Sequence, residues 1–252
     1  MWQPYALEAR YELTKLVRLR VFATMTLAFP VVFHLLFGVA LAGSRAMGGR
    51  NMAPVLLGTY GAFGVIGVAL FSFGLSVATE RAQGWLLLKR ATPMRPVVYV
   101  LGKVGASMAF SALIVLALML CGTALAGVRI TPSQGLLLTV ALVVSSIPFC
   151  AIGLALGFAA GPNSAPALVN VVHLAGAFTG GLWMPLDILP QTFRAIAPWL
   201  PHYHLGQLAL GTLGQTPSPR PAWNMTILAV WTLVGAAAAI AAFRRDEGKL
   251  YG

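Results

Sequence analysis

The chain has 252 residues, 58% of them hydrophobic and 9% charged, with a mean hydropathy of +0.82. That composition excludes an ordinary soluble domain and belongs to the membrane class. The net charge of +11 comes from 17 Lys and Arg against 6 Asp and Glu, and where those cations fall decides whether they mark nucleic acid or a membrane face.

The opening residues WQPYALEARYELTKLVRLR mix aromatic and aliphatic side chains with Lys and Arg at near-helical spacing, which predicts an interfacial helix over 1–20. Six apolar windows follow, at about 22–42, 54–78, 97–126, 134–160, 164–185 and 222–243. Each reaches the ~20 residues that a helix needs to cross a hydrocarbon core of ~30 Å. The runs are continuous rather than alternating, so they read as helices and not barrel strands. The expected fold is all-α and polytopic, with six transmembrane helices in one domain spanning 1–252.

Segments at 43–53 (GSRAMGGRNMA), 127–134 (GVRITPSQ) and 160–166 (AGPNSAP) read as short turns. None could house a soluble catalytic domain. With the N-terminus inside, the segment before the first span, the loop after the second and the C-terminal tail hold twelve Lys and Arg, and the opposite side holds five. The positive-inside rule then puts both termini in the cytoplasm, and the basic excess is a topology and anionic-lipid signal.

The stretch ERAQGWLLLKRATPMRP, Glu80 to Pro96, concentrates charge around Trp85 and three leucines. It reads as a short cytoplasmic helix over 79–92, capped by Thr79, with Glu80 at its positive end and Pro93 stopping it. An apolar knob ringed by charge suits docking into a groove on another protein, with a helix lying on lipid as the other reading. Between 186 and 221, prolines interrupt a segment that stays apolar, which predicts a re-entrant extracellular half-helix pair, placed at 186–200, before the last span.

No Asp, Glu, Lys or Arg falls in the middle of a window, and Lys103, near the end of one, is expected to snorkel outward. The chain has no GxxxxGK[ST], GxSxG or HExxH motif, which points to a transport subunit and not an enzyme, with no metal site. Glycines such as Gly58, Gly61, Gly64, Gly67 and Gly74 are read as close helix contacts. A substrate path along the first, second and fifth spans would use Phe29, Phe33, His34, Tyr60, Phe63, Asn170, His173 and Phe178, an aromatic surface with a few hydrogen-bonding groups. Asn170 and His173, at i and i+3, share one helix face.

In its interfacial helix, its six windows, Glu80-Arg81-x-x-Gly84 followed by Thr92-Pro93, and Pro185-Leu186-Asp187-x-Leu189-Pro190, the chain resembles the membrane subunits of ABC-2 type ABC transporters. The resemblance covers nearly the whole chain. It implies a half-transporter of the bacterial inner membrane: two permease subunits, here expected as a homodimer, and two copies of a separate P-loop ATPase that carries ATP and Mg. Glu80, Arg81, Gly84, Trp85, Leu86, Leu87 and Leu88 would dock the ATPase, although Leu87 and Leu88 replace acidic residues often found there. Trp183, Met184, Pro185, Leu186, Asp187, Leu189 and Pro190 would form an external gate. Efflux of a small hydrophobic or amphiphilic drug or antibiotic is the first reading of function. Export of a lipid-linked polysaccharide and an ion-coupled transporter or channel are the alternatives.

Overall fold

The computed structural model describes residues 3–39, 51–92, 94–216 and 219–250. Pro93 and most of the turn expected at 43–53 lie outside them, as does the side chain of Leu87. Helix α1 (Gln3–Arg18) leads into α2 (Arg20–Phe33), which a wider π-helical turn extends over His34–Val39. Next come α3 (Met52–Ala82), the short α4 (Trp85–Arg90) and α5 (Pro96–Ala124). Then follow α6 (Pro132–Val144), α7 (Ile147–Ala159), α8 (Ala165–Thr179), α9 (Gln191–Ile196), α10 (Pro201–Thr212) and α11 (Pro221–Leu250). The expected all-helical architecture is observed.

Among the described residues, five helical segments are long and apolar enough to cross a membrane: Arg20–Gly38, Met52–Ala82, Pro96–Ala124, Pro132–Ala159 and Pro221–Arg245. The fourth is α6 and α7 joined through a bend. Pro148 cannot donate a backbone hydrogen bond there, and the Ser146 hydroxyl donates to the Val143 carbonyl at 2.7 Å. The window at 164–185 yields a shorter helix than expected. Helix α8 has 15 residues, roughly 22 Å at 1.5 Å per residue, and Gly180 and Gly181 end it, Gly181 at φ +74°.

Helix α3 is the central pole, with 83% of its apolar window buried, against 17% for α2 and α11. Lipid supplies no hydrophobic drive between helices, so close packing has to hold them. The α3 glycines make that packing possible, each facing a different neighbour. Gly58 meets Ala209 of α10, Gly61 meets Leu142 of α6, Gly64 meets Ile114 of α5 and Pro30 of α2, and Gly74 meets Val169 of α8. Helices α7 and α11 run side by side in the same direction, since Ala151 lies at Gly235 and Phe158 stacks edge-on to Phe243 at 5.2 Å. Helix α1, α4 and the last turns of α7 and α11 therefore gather at one end of the bundle.

Two boundaries differ from expectation. The helix expected over 79–92 is the last turn of α3 plus a separate α4. Thr79 does not cap it, because its hydroxyl donates back to the Leu75 carbonyl at 2.9 Å inside α3. The stop is at Gly84, whose φ of +75° suits a residue without a Cβ. In the proline-rich region, 186–200 folds into short turns and α9, while the most deeply packed piece comes later, in α10, with His202, His204, Leu205 and Ala209 buried.

Candidate functional site

Three glutamates and three lysines meet where α1, α3, α4 and α5 converge. Lys103, two turns into α5 and 2% exposed, donates to Glu12 Oε2 at 2.7 Å, Glu80 Oε1 at 2.9 Å and Ser76 Oγ at 2.9 Å. Glu80 is also paired with Lys15 and accepts from the Tyr99 hydroxyl at 2.6 Å. Lys89, on α4, pairs with Glu8 of α1 at 2.5 Å and lies 4.3 Å from the centre of the Tyr99 ring. Burying one of these charges alone would cost several kcal/mol; pairing each with an opposite charge and a hydroxyl offsets that cost. Lys103 thus turns inward and does not snorkel, which corrects the expectation for it.

Arg81, beside Glu80, donates to the carbonyls of Phe158 and, at 2.8 Å, Ala160. Those carbonyls end α7 and have no helical partner of their own, so Arg81 ties α3 to α7. Among the described side chains of α4, the two exposed ones are apolar: Trp85 is 53% exposed and Leu88 62%. Trp85 also borders a cavity of about 980 Å³ between α1 and α4, rimmed by Arg10, Tyr11, Lys15 and Arg18.

A second constellation lies between α2, α3 and α8. Phe29 and Phe33 stack at 4.2 Å, and Phe63 stacks on the His173 ring at 4.2 Å. Trp183 joins both pairs, 5.8 Å from Phe63, 6.3 Å from Phe33 and 6.4 Å from Phe29. Tyr60 meets Phe33 edge-on at 6.3 Å. A cavity of about 300 Å³ adjoins these rings, lined by Met25, Thr26, Phe29, Phe63, Asn170 and His173 among others. Its wall is almost wholly apolar or aromatic. Buried His173 Nδ1 has no hydrogen-bond partner, and Asn170 adds an amide on the same face of α8.

The profile of the ABC-2 type transporter family matches residues 7–213. The chain belongs to that family. It is also similar to the Bacillus subtilis (strain 168) protein named "Putative transport permease YvfS", 24% identical over 224 residues that cover 88% of this chain and 90% of that protein. The chain is accordingly the membrane subunit of an ABC transporter, a multi-pass membrane protein.

Within this ABC-2 subunit, the residues expected along the path divide. Phe29, Phe63, Asn170 and His173 line one cavity, and Phe33 and Tyr60 adjoin it through ring contacts. His34 does not join them: it is fully buried in a notch made by Gly38 of its own turn and Gly122 of α5. Phe178 packs edge-on against Phe193 of α9, away from the cavity. Of the residues expected at the docking surface, Trp85 and Leu88 are exposed, Leu86 is half-buried, and Glu80 and Arg81 hold the bundle together. Of the expected gate, Trp183 turns into the aromatic cluster and Leu189 is buried, whereas Met184, Asp187 and Pro190 are exposed.

Sequence reasoning missed the charge cluster. Glu8, Glu12, Lys15, Tyr99 and Lys103 carried no motif. The available signal was that three of the six acidic residues, Glu8, Glu12 and Glu80, lie beside spans where an unpaired carboxylate would be costly.

Proposed function

We propose that this permease is the membrane half of an ATP-driven exporter that moves a small hydrophobic or amphiphilic compound out of the cytoplasm or its facing leaflet. The observation that carries the reading is the design of α4. Its outer side presents Trp85 and Leu88, and its inner side is fastened through Lys89 to α1, beside the ions that join α1, α3 and α5. A knob so mounted passes displacement to three helices at once.

The engine is a separate P-loop ATPase that binds ATP and Mg, in two copies. Two permease chains, alike, form the complex. The α4 end, with both termini, faces the cytoplasm of a bacterial inner membrane, α8 is the fifth of six spans, and residues 186–200 form the external gate. The aromatic cavity is the cargo site: rings for apolar surface, Asn170 and His173 for one or two polar groups. At about 300 Å³ it has the size of a small drug site.

The test is reconstitution of the permease with its ATPase in vesicles. Trp85→Ser with Leu88→Ser should leave the bundle folded, since both side chains are exposed, and abolish ATPase binding and transport. Asn170→Ala with His173→Ala should keep the ATPase bound and remove its stimulation by cargo. Full transport by the first pair would end the docking reading, and unchanged stimulation in the second would end the cavity reading.

A further inference from the structure

A third cavity, of about 510 Å³, lies on another side of the bundle. Its back wall is α7, with Cys150, Ala151 and Leu154; its sides are α5, with Val100 and Val104, and α11, with Ala236 and Ala239. Alanines on α7 and α11 leave the space that larger side chains would fill. The outer lips, Leu101 of α5 and Ile240 of α11, are about half exposed, so the groove opens sideways from the bundle. Along α7 it runs from Ile147 to Phe158, roughly 16 Å of helix at 1.5 Å per residue. That is about half of a ~30 Å hydrocarbon core, the depth of one leaflet.

The groove is apolar except at one end. There Lys89 and Tyr99 line it, Arg95 stands between the lining residues Met94 and Pro96, and Arg244 and Arg245 directly follow the lining residue Phe243. Lys89 is engaged with Glu8, whereas the three arginines are exposed. Asp246 and Glu247 follow them in the sequence. An apolar slot one leaflet deep, open to the side of the bundle and crowned with cations, has the charge and shape of a lipid site.

We propose that this groove holds one acyl chain of an anionic phospholipid from the leaflet on the α4 side, its phosphate bound by Arg95, Arg244 and Arg245. The site rests on the membrane placement of the bundle and not on the export reading. Its occupant lies against Leu86 and Lys89, so it wedges α4 between lipid and the ion cluster.

The full chain in detergent micelles, titrated with dioleoyl phosphatidylglycerol or dioleoyl phosphatidylcholine, tests this by native mass spectrometry. One phosphatidylglycerol should be retained per chain at concentrations where phosphatidylcholine is lost. Arg244→Gln with Arg245→Gln, both at exposed positions, should weaken phosphatidylglycerol on the order of tenfold and erase the preference. Ala239→Phe, which fills the slot, should lower retention of both lipids. Equal retention of the two lipids by the unaltered chain, or undiminished phosphatidylglycerol binding in the arginine variant, overturns the proposal. So does a Leu101→Cys variant that cross-links two copies in membranes, because another protein chain would then cover the groove.

Discussion

Lys103 is held by two carboxylates and a serine hydroxyl from α1 and α3, while its own helix offers only the Tyr99 ring, 5.1 Å away. Replacing it by methionine keeps most of its volume and leaves Glu12 and Glu80 short of a cation. Removing one member of a buried ion pair costs about 3–5 kcal/mol, so Lys103→Met should lower the melting temperature of the purified permease markedly. Lys103→Met with Glu80→Gln should recover part of the loss, since the cluster then sheds one charge of each sign. Equal melting of Lys103→Met and the unaltered chain would remove the cluster from the stability argument. Gly176 makes a similar case by shape. A Cβ there would lie 2.2 Å from His202 Cε1, and the ring is buried, so Gly176→Ala should destabilise α8 against α10 and His202→Ala should rescue it. The rescue, read as a melting temperature, is the decisive measurement. Neither contact could be read from the sequence: 91 positions separate Lys103 from Glu12, and nothing local marks them as neighbours. By contrast, the pairing of Asn170 with His173 was legible, because a helix puts i and i+3 on one face wherever that helix goes.

The elements show the same division between local and distant causes. Hydropathy located the long helices, since a span needs nothing but a continuous apolar run. It misjudged the ends where the helix is continued or stopped by its surroundings. Thr79 has the chemistry of a cap, yet α3 runs past it because the Lys103, Lys15 and Tyr99 groups of α5 and α1 solvate Glu80 one residue later. The short α4 then hangs from α3 by Gln83 and Gly84 and from α1 by Lys89. Cutting the second attachment separates docking from transmission. With Lys89→Ala, Trp85 and Leu88 remain exposed and the ATPase should still bind, while the contacts of Lys89 with Glu8 and the Tyr99 ring are lost. The expected outcome is normal complex formation with several-fold less cargo moved per ATP hydrolysed in vesicles. Loss of ATPase binding in this variant would instead make Lys89 part of the docking surface itself.

At the scale of the whole molecule, the aromatic cavity is only half enclosed. Val21 and Met25 on α2, 77% and 63% exposed, line it, and Val171 on α8, 63% exposed, directly follows the lining residue Asn170. A second copy related by a two-fold axis would cover this face and join two such cavities into one central path, and in an isologous contact a residue near the axis meets its own counterpart. That makes the pairing testable with single substitutions. In a Cys121→Ser background, with the buried Cys150 retained, Val171→Cys or Met25→Cys should form a disulfide-linked dimer in oxidised membranes. Leu120→Cys, 69% exposed on α5, is the control and should stay monomeric. If only Leu120→Cys links, the two-fold lies on the α5 side and the aromatic cavity faces lipid; if α2 and α8 link, the rings of both copies meet across the axis, where one chain alone leaves the aromatic cavity open.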